Sequence, residues 1–86
     1  MDLSIIIVSY NAKTDLVQCL DSVRRHPPAC THDVIVVDNA STDGSPEAAE
    51  AFAGVRVIRS DTNRGFSAAN NIGIRASEGQ TLLLLN

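Results

Sequence analysis

Apolar residues along the chain follow two different spacings. Leu3-Ser4-Ile5-Ile6-Ile7-Val8-Ser9 and Asp33-Val34-Ile35-Val36-Val37-Asp38 are runs without alternation, the pattern of strands covered on both faces. Between them Leu16, Cys19, Leu20 and Val23 recur at i, i+3, i+4 and i+7, one face of a 3.6-residue period. A helix is therefore predicted after Asn11-Ala12-Lys13-Thr14. Arg24, Arg25 and His26 occupy its last turn, where cations suit the dipole, and Pro27-Pro28 stops it. Further on, Ser45-Pro46-Glu47 carries a helix-start signal, a capping serine followed by proline and an acid. Ala48 to Ala53 continue that helix and Gly54 closes it. Val55 to Arg59 is a third strand whose arginines mark it as an edge. Ser67 is the expected cap of a third helix running to Gly79, and Thr81 to Asn86 is a fourth strand of successive leucines.

The resulting order, β-α-β-α-β-α-β, implies an α/β class with a Rossmann-like parallel sheet, right-handed crossovers and helices on both faces. Inner strands of such a sheet need apolar residues on both sides. The first, second and fourth runs meet that demand and the third does not, so the expected spatial order is 3-2-1-4. This order reverses between strands 1 and 4, and ligands in open α/β sheets bind beyond the carboxyl ends of the strands at the reversal. The inner strands end in Ser9-Tyr10-Asn11, Asp38-Asn39 and Asn86, and the third delivers Asp61-Thr62-Asn63-Arg64-Gly65 to the same rim. A ring, a carboxylate, several amides and one guanidinium suit a nucleotide. The ring meets the base, the carboxylate a base N–H or ribose hydroxyl, and the guanidinium a base or phosphate.

Composition removes several partners. With 86 residues the chain is one domain or less. A net charge of −3 and 3% aromatic residues offer neither the basic surface nor the stacking platform that nucleic acid needs. No apolar run approaches the roughly 20 residues of a membrane span, and strand-forming residues begin at Leu3 without a signal-peptide pattern. Cys19 and Cys30 have no motif spacing and read as free thiols, which makes the cytoplasm the expected compartment.

Motif chemistry narrows the ligand. The loop after the first strand, SYNAKTD, has no glycine, so the dinucleotide fingerprint is absent, and no G-x-x-x-x-G-K occurs. A bound diphosphate then needs a divalent cation on carboxylates, yet no carboxylate pair falls on this rim. Asp43-Gly44 reads as a turn in which Asp43 accepts backbone N–H bonds, with Ser41 equally local. Asp38 could also serve as a turn residue accepting loop amides, but ligand contact is favoured by the long polar loop behind it.

Taken together, IIIVSYN, VIVVDNASTDGS, NRGFSAANNIGIRASEG and LLLLN resemble the start of a family 2 glycosyltransferase of GT-A fold. The later motifs look most like the bacterial rhamnosyltransferase-type branch. The resemblance implies that residues 1–86 are the nucleotide-binding N-terminal part of such a domain. It also implies inverting transfer of a sugar from a nucleoside-diphosphate sugar to an acceptor hydroxyl, in cell-surface polysaccharide synthesis, at the inner face of the membrane in a full-length enzyme. Donor-nucleotide contacts are carried over to Ser9, Tyr10, Asn11, Asp38, Asn39, Asn63, Arg64, Gly65 and Asn71. Many relatives have Glu where Ala12 stands and Ala-Arg-Asn where Ala69-Asn70-Asn71 stands, which shifts weight for the diphosphate onto Arg64. The divalent metal, Mg2+ or Mn2+, would be held by a motif that starts at Asn86, so neither metal ligand nor catalytic base is expected within the chain. Alone, the chain is expected to be inactive and to self-associate through its fourth strand. The competing reading is a non-catalytic nucleotide-binding or structural α/β module.

Overall fold

The structure, a computed structural model, describes residues 1–85. The elements follow the apolar pattern: β1 (Leu3–Ser9), α1 (Lys13–Arg25), β2 (His32–Asp38), α2 (Ser45–Glu50), β3 (Val55–Arg59), α3 (Phe66–Ala76) and β4 (Thr81–Leu85). All strand pairings are parallel and the sheet order is β3-β2-β1-β4. Two short crossovers move the chain outward from β1 to β3, and α3 carries it back past both inner strands to β4.

Alternation along the strands divides the core in two. Ile5 and Ile7 of β1 and Val34 and Val36 of β2 pack against Leu16 and Leu20 of α1 and Ala49 of α2. Ile35 and Val37 point the other way, onto Ala69 of α3. β2 therefore needs apolar residues at every position, and Ile35, Val36 and Val37 are fully buried. α3 lies so close to the sheet that a Cβ on Gly73 would sit 2.5 Å from Cγ2 of Ile6 and 3.3 Å from Cγ2 of Val37.

The arginines of β3 act as the edge reading requires, one on each face. Arg56 donates to the carbonyl of Ala76 at the end of α3 (3.2 Å). Arg59 pairs with Glu47 (3.1 Å) and Glu50 of α2. β4 is the opposite edge and carries no such guard. Leu82, Leu83 and Leu84, whose sequence reads as an inner strand, are 39–47% exposed.

Several boundaries differ from the sequence expectation. The cap of α3 is Gly65, with Ser67 inside the first turn. That helix ends at Ala76, three residues before Gly79. Gly79 instead passes over β1, where its N–H donates to Ser4 Oγ (2.9 Å) and a Cβ would lie 2.5 Å from Ser4 N. Ser4 Oγ in turn donates to Asp33 Oδ1 (2.6 Å), tying β4, β1 and β2 together at their amino ends. The cap of α2 is Gly44 rather than Ser45, and Ala51 to Ala53 fall outside the helix. Asn86 lies outside the described residues.

Candidate functional site

Parallel register brings the carboxyl ends of β1 and β2 level, with Ser9 opposite Asp38. The alternation that aims Ile7 and Val36 at α1 and α2 aims Ser9 and Asp38 to the same side. Two polar residues thus end two buried apolar runs, and both are shielded from water: Ser9 is 4% exposed and Asp38 2%. Asp38 Oδ2 accepts the N–H of Ser41 at 2.9 Å. Asp38 Oδ1 and Ser9 Oγ are buried with no partner among the described residues. A buried acceptor without a donor costs about 1–3 kcal/mol, and native proteins rarely leave one unused.

The loop after β2 is built around that carboxylate. Ala40 adopts a left-handed conformation, φ 69°, which turns the chain sharply enough for Ser41 N–H to meet Asp38. From there the loop reaches back across the sheet. Ser41 Oγ accepts the N–H of Asn11 (2.9 Å), and Asn11 Oδ1 accepts the N–H of Thr42 (2.8 Å). Asn11 is itself left-handed, φ 47°, a conformation asparagine tolerates better than most residues.

Asp43 extends this brace. One of its oxygens accepts from the Ser45 N–H (3.0 Å) and the Ser45 hydroxyl, and the other accepts the N–H of Lys13 (3.0 Å) at the start of α1. These bonds, led by the Ser45 hydroxyl, hold its carboxyl below the usual aspartate range. The turn expected at Asp43 is present. The reach of Ser41, Thr42 and Asp43 to residues thirty positions earlier was not read from the sequence, and no local signal announces it.

Asn39 faces the opposite side of the sheet from Asp38. Its own N–H donates to Ser9 O (2.8 Å), continuing the ladder. Its side chain is committed to the loop after β3: Oδ1 accepts the Arg64 N–H (3.1 Å) and Nδ2 donates to Gly65 O (3.2 Å). Asn63 Oδ1 accepts the Gly65 N–H at 2.9 Å, and Gly65 has a φ of 84°, a backbone geometry that disfavours any side chain. The side chain of Arg64 is exposed and forms no hydrogen bond or ion pair among the described residues. Tyr10 is exposed too, at 50%.

The rim therefore unites Ser9, Tyr10, Asn11, Asp38, Asn39, Asn63, Arg64 and Gly65 through two loops tied to consecutive residues of one strand end. Asn71 is not part of this web. It stands exposed on α3, about 8 Å of helix rise past Phe66. No group of His, Cys, Asp or Glu able to hold a metal ion exists among the described residues, and no helix among them is long and apolar enough to cross a membrane. A separate hollow at the amino edge of the sheet, lined by Leu20, Arg24, Phe52 and Val55, gathers no unpartnered buried polar atom.

Comparison with known proteins supplies a context for this rim. The profile described as Glycosyl transferase family 2 matches residues 4–86. The chain is 35% identical to glycosyltransferase AglE of Haloferax volcanii, over 96% of this chain and 29% of that protein. It superposes on S. aureus TarS 1-349 in complex with UDP-GlcNAc with a TM-score of 0.90 and 27% identity, covering 99% of this chain and 26% of that one. With the mannosyltransferase PcManGT of Pyrobaculum calidifontis, solved with GDP-Man and Mn2+, the TM-score is 0.84 at 28% identity, covering 93% and 25%. The chain thus spans between a quarter and a third of each of these proteins.

Proposed function

Because the chain belongs to glycosyl transferase family 2, with the Rossmann-like α/β sheet of a GT-A fold, we propose that residues 1–86 bind the donor nucleotide of a sugar-transfer domain. The reaction is transfer, with inversion, from a nucleoside-diphosphate sugar to an acceptor hydroxyl. The acceptor oxygen forms a bond to the anomeric carbon as the bond to the diphosphate breaks, and the hydroxyl proton passes to a base outside residues 1–85. We read the setting as cell-surface polysaccharide synthesis at the cytoplasmic side of a membrane, in the rhamnosyltransferase-type branch that the later motifs resemble.

The observation that carries this reading is the buried, unpartnered pair at the ends of β1 and β2, Asp38 Oδ1 and Ser9 Oγ. A carboxylate oxygen only accepts, so its natural complement is an N–H or O–H donor, which a nucleobase or ribose provides once the residues that bury Asp38 move aside. The hydroxyl beside it can donate or accept. Tyr10, exposed at the rim, gives a flat apolar face for the base. Arg64, on the loop opposite, gives a delocalised cation for the diphosphate. Asn11 holds Tyr10's loop in place and Asn63 shapes the turn at Gly65. Asn71 has no assigned contact in this arrangement.

PcManGT was solved with Mn2+, and a divalent cation, Mg2+ or Mn2+, would neutralise the leaving diphosphate. Among the described residues no group of three His, Cys, Asp or Glu side chains comes together, and an ion of this kind takes only one or two carboxylates beside the substrate's phosphates. We assign the metal to residues outside 1–85.

Calorimetric titration with UDP, GDP and dTDP tests the site. Binding of at least one is expected. Asp38→Ala is expected to weaken it by about tenfold or more, since a hydrogen bond to a charged group contributes about 1.5–3 kcal/mol. Equal binding by wild type and variant would place the nucleotide elsewhere. Saturable binding of NAD in competition would favour a dinucleotide site instead.

A further inference from the structure

Asn39 sits where a nucleotide contact is expected, yet its side chain is spent inside the protein. It is 3% exposed, and its amide spans the gap to the loop after β3, accepting from Arg64 N–H and donating to Gly65 O. Gly65 O also accepts the N–H of Ala69 at 3.2 Å, so the same carbonyl joins Asn39 to the first turn of α3. The loop is left with one backbone course, and Arg64 is the residue whose N–H is held.

We propose that Asn39 is a positioning residue that acts through the Arg64 backbone, latching the loop so that the free guanidinium faces a diphosphate bound beside Asp38. The proposal rests on the donor-nucleotide reading of the rim and adds a chemical requirement to it. The latch must accept from one backbone N–H and donate to one backbone carbonyl, which a primary amide does and a carboxylate does not. An aspartate at position 39 would keep the bond from Arg64 and set a negative oxygen against the carbonyl of Gly65. Asp38 and Asn39 then divide the work at one strand end: the first contacts the nucleotide, and the second aims the cation.

The test compares the full wild-type chain with Asn39→Asp, Arg64→Ala and their double variant, using UDP, GDP and dTDP as probes in calorimetry. Amide hydrogen exchange at Arg64 and Gly65 is followed in parallel. Asn39→Ser, too short to span both partners, is a second way to open the latch should the aspartate variant fold poorly. Each single variant is expected to lose about tenfold in affinity, the scale of one hydrogen bond. The double variant should lose no more than the worse single, because Asn39 acts through Arg64. Exchange at Arg64 should accelerate in Asn39→Ser, which cannot span both partners, and stay protected in Asn39→Asp, which keeps that acceptor. Unchanged affinity in the Asn39 variants, or losses that simply add with Arg64→Ala, would overturn the proposal. Failure of wild type to bind UDP, GDP and also dTDP would overturn the nucleotide reading itself. Unchanged exchange at Arg64 in Asn39→Ser would overturn the latch whatever the binding result.

Discussion

Asp38→Asn should separate stability from binding in this protein. The carboxylate is 2% exposed; Oδ2 holds Ser41 N–H at 2.9 Å, and Oδ1 has no partner among the described residues. The amide of an asparagine would keep its oxygen toward Ser41, because only that atom accepts. Its NH2 would then occupy the place of Oδ1. The substitution removes a buried charge and an unsatisfied acceptor at nearly constant shape. Since an unsatisfied buried acceptor costs about 1–3 kcal/mol, the ligand-free variant should gain up to that amount, less what its own NH2 leaves unmade. In a domain of this size each 1 kcal/mol moves Tm by about 4–8 °C. Nucleotide affinity should move the other way, because a donor now faces the donor of the base or ribose. Urea unfolding followed by circular dichroism and calorimetry with UDP and GDP read the two quantities on one preparation. A variant destabilised by more than about 1 kcal/mol would show that Oδ1 is already satisfied without ligand. The reasoning about the site would then be wrong.

Acid stability should depend on Asp43, whose carboxyl is held below its ordinary value of 3.8, chiefly by the Ser45 hydroxyl. A depressed folded value means its contribution is complete above the unfolded value and is lost as pH falls through the folded one. The stability difference between wild type and Asp43→Asn should therefore be constant near neutrality and shrink below about pH 4, and a difference that grows there would refute the assignment. The 86-residue chain should self-associate through β4, where Leu82 to Leu84 are 39–47% exposed on an unguarded edge. Light scattering across concentration should show wild type gaining mass while a Leu83→Lys, Leu84→Lys variant stays monomeric, and a monomeric wild type at high concentration would contradict this.

The fold was largely legible because its main determinants are local. Unbroken runs at Ile5 to Val8 and Val34 to Val37 need cover on both faces, and two arginines in a five-residue strand can only lie at an edge. The strand order follows from those two facts. The rim was legible as a place, because strand ends are read from the same runs. What the sequence concealed is the set of partners. Asn39 read as a ligand contact, and its amide reaches Arg64 and Gly65, twenty-five and twenty-six positions on. Ser41 and Asp43 read as local turn residues, and they also brace Asn11 and Lys13 across the sheet. Such bonds depend on which loops the sheet order makes neighbours, not on any spacing along the chain. The caps at Ser45 and Ser67 were misplaced for a related reason. Gly44 and Gly65, both at positive φ, take the turn into each helix, and no side-chain cap is then required.

The central claim is that a nucleoside diphosphate sits at the carboxyl ends of β1 and β2, and chemical-shift mapping tests it most directly. An amide-resolved NMR titration with UDP, GDP or dTDP should perturb Ser9 to Asn11, Asp38 to Ser41 and Asn63 to Gly65 together, along one saturable curve. Shifts confined to the hollow around Leu20, Arg24 and Phe52, or no shifts with UDP, GDP or dTDP, would contradict it.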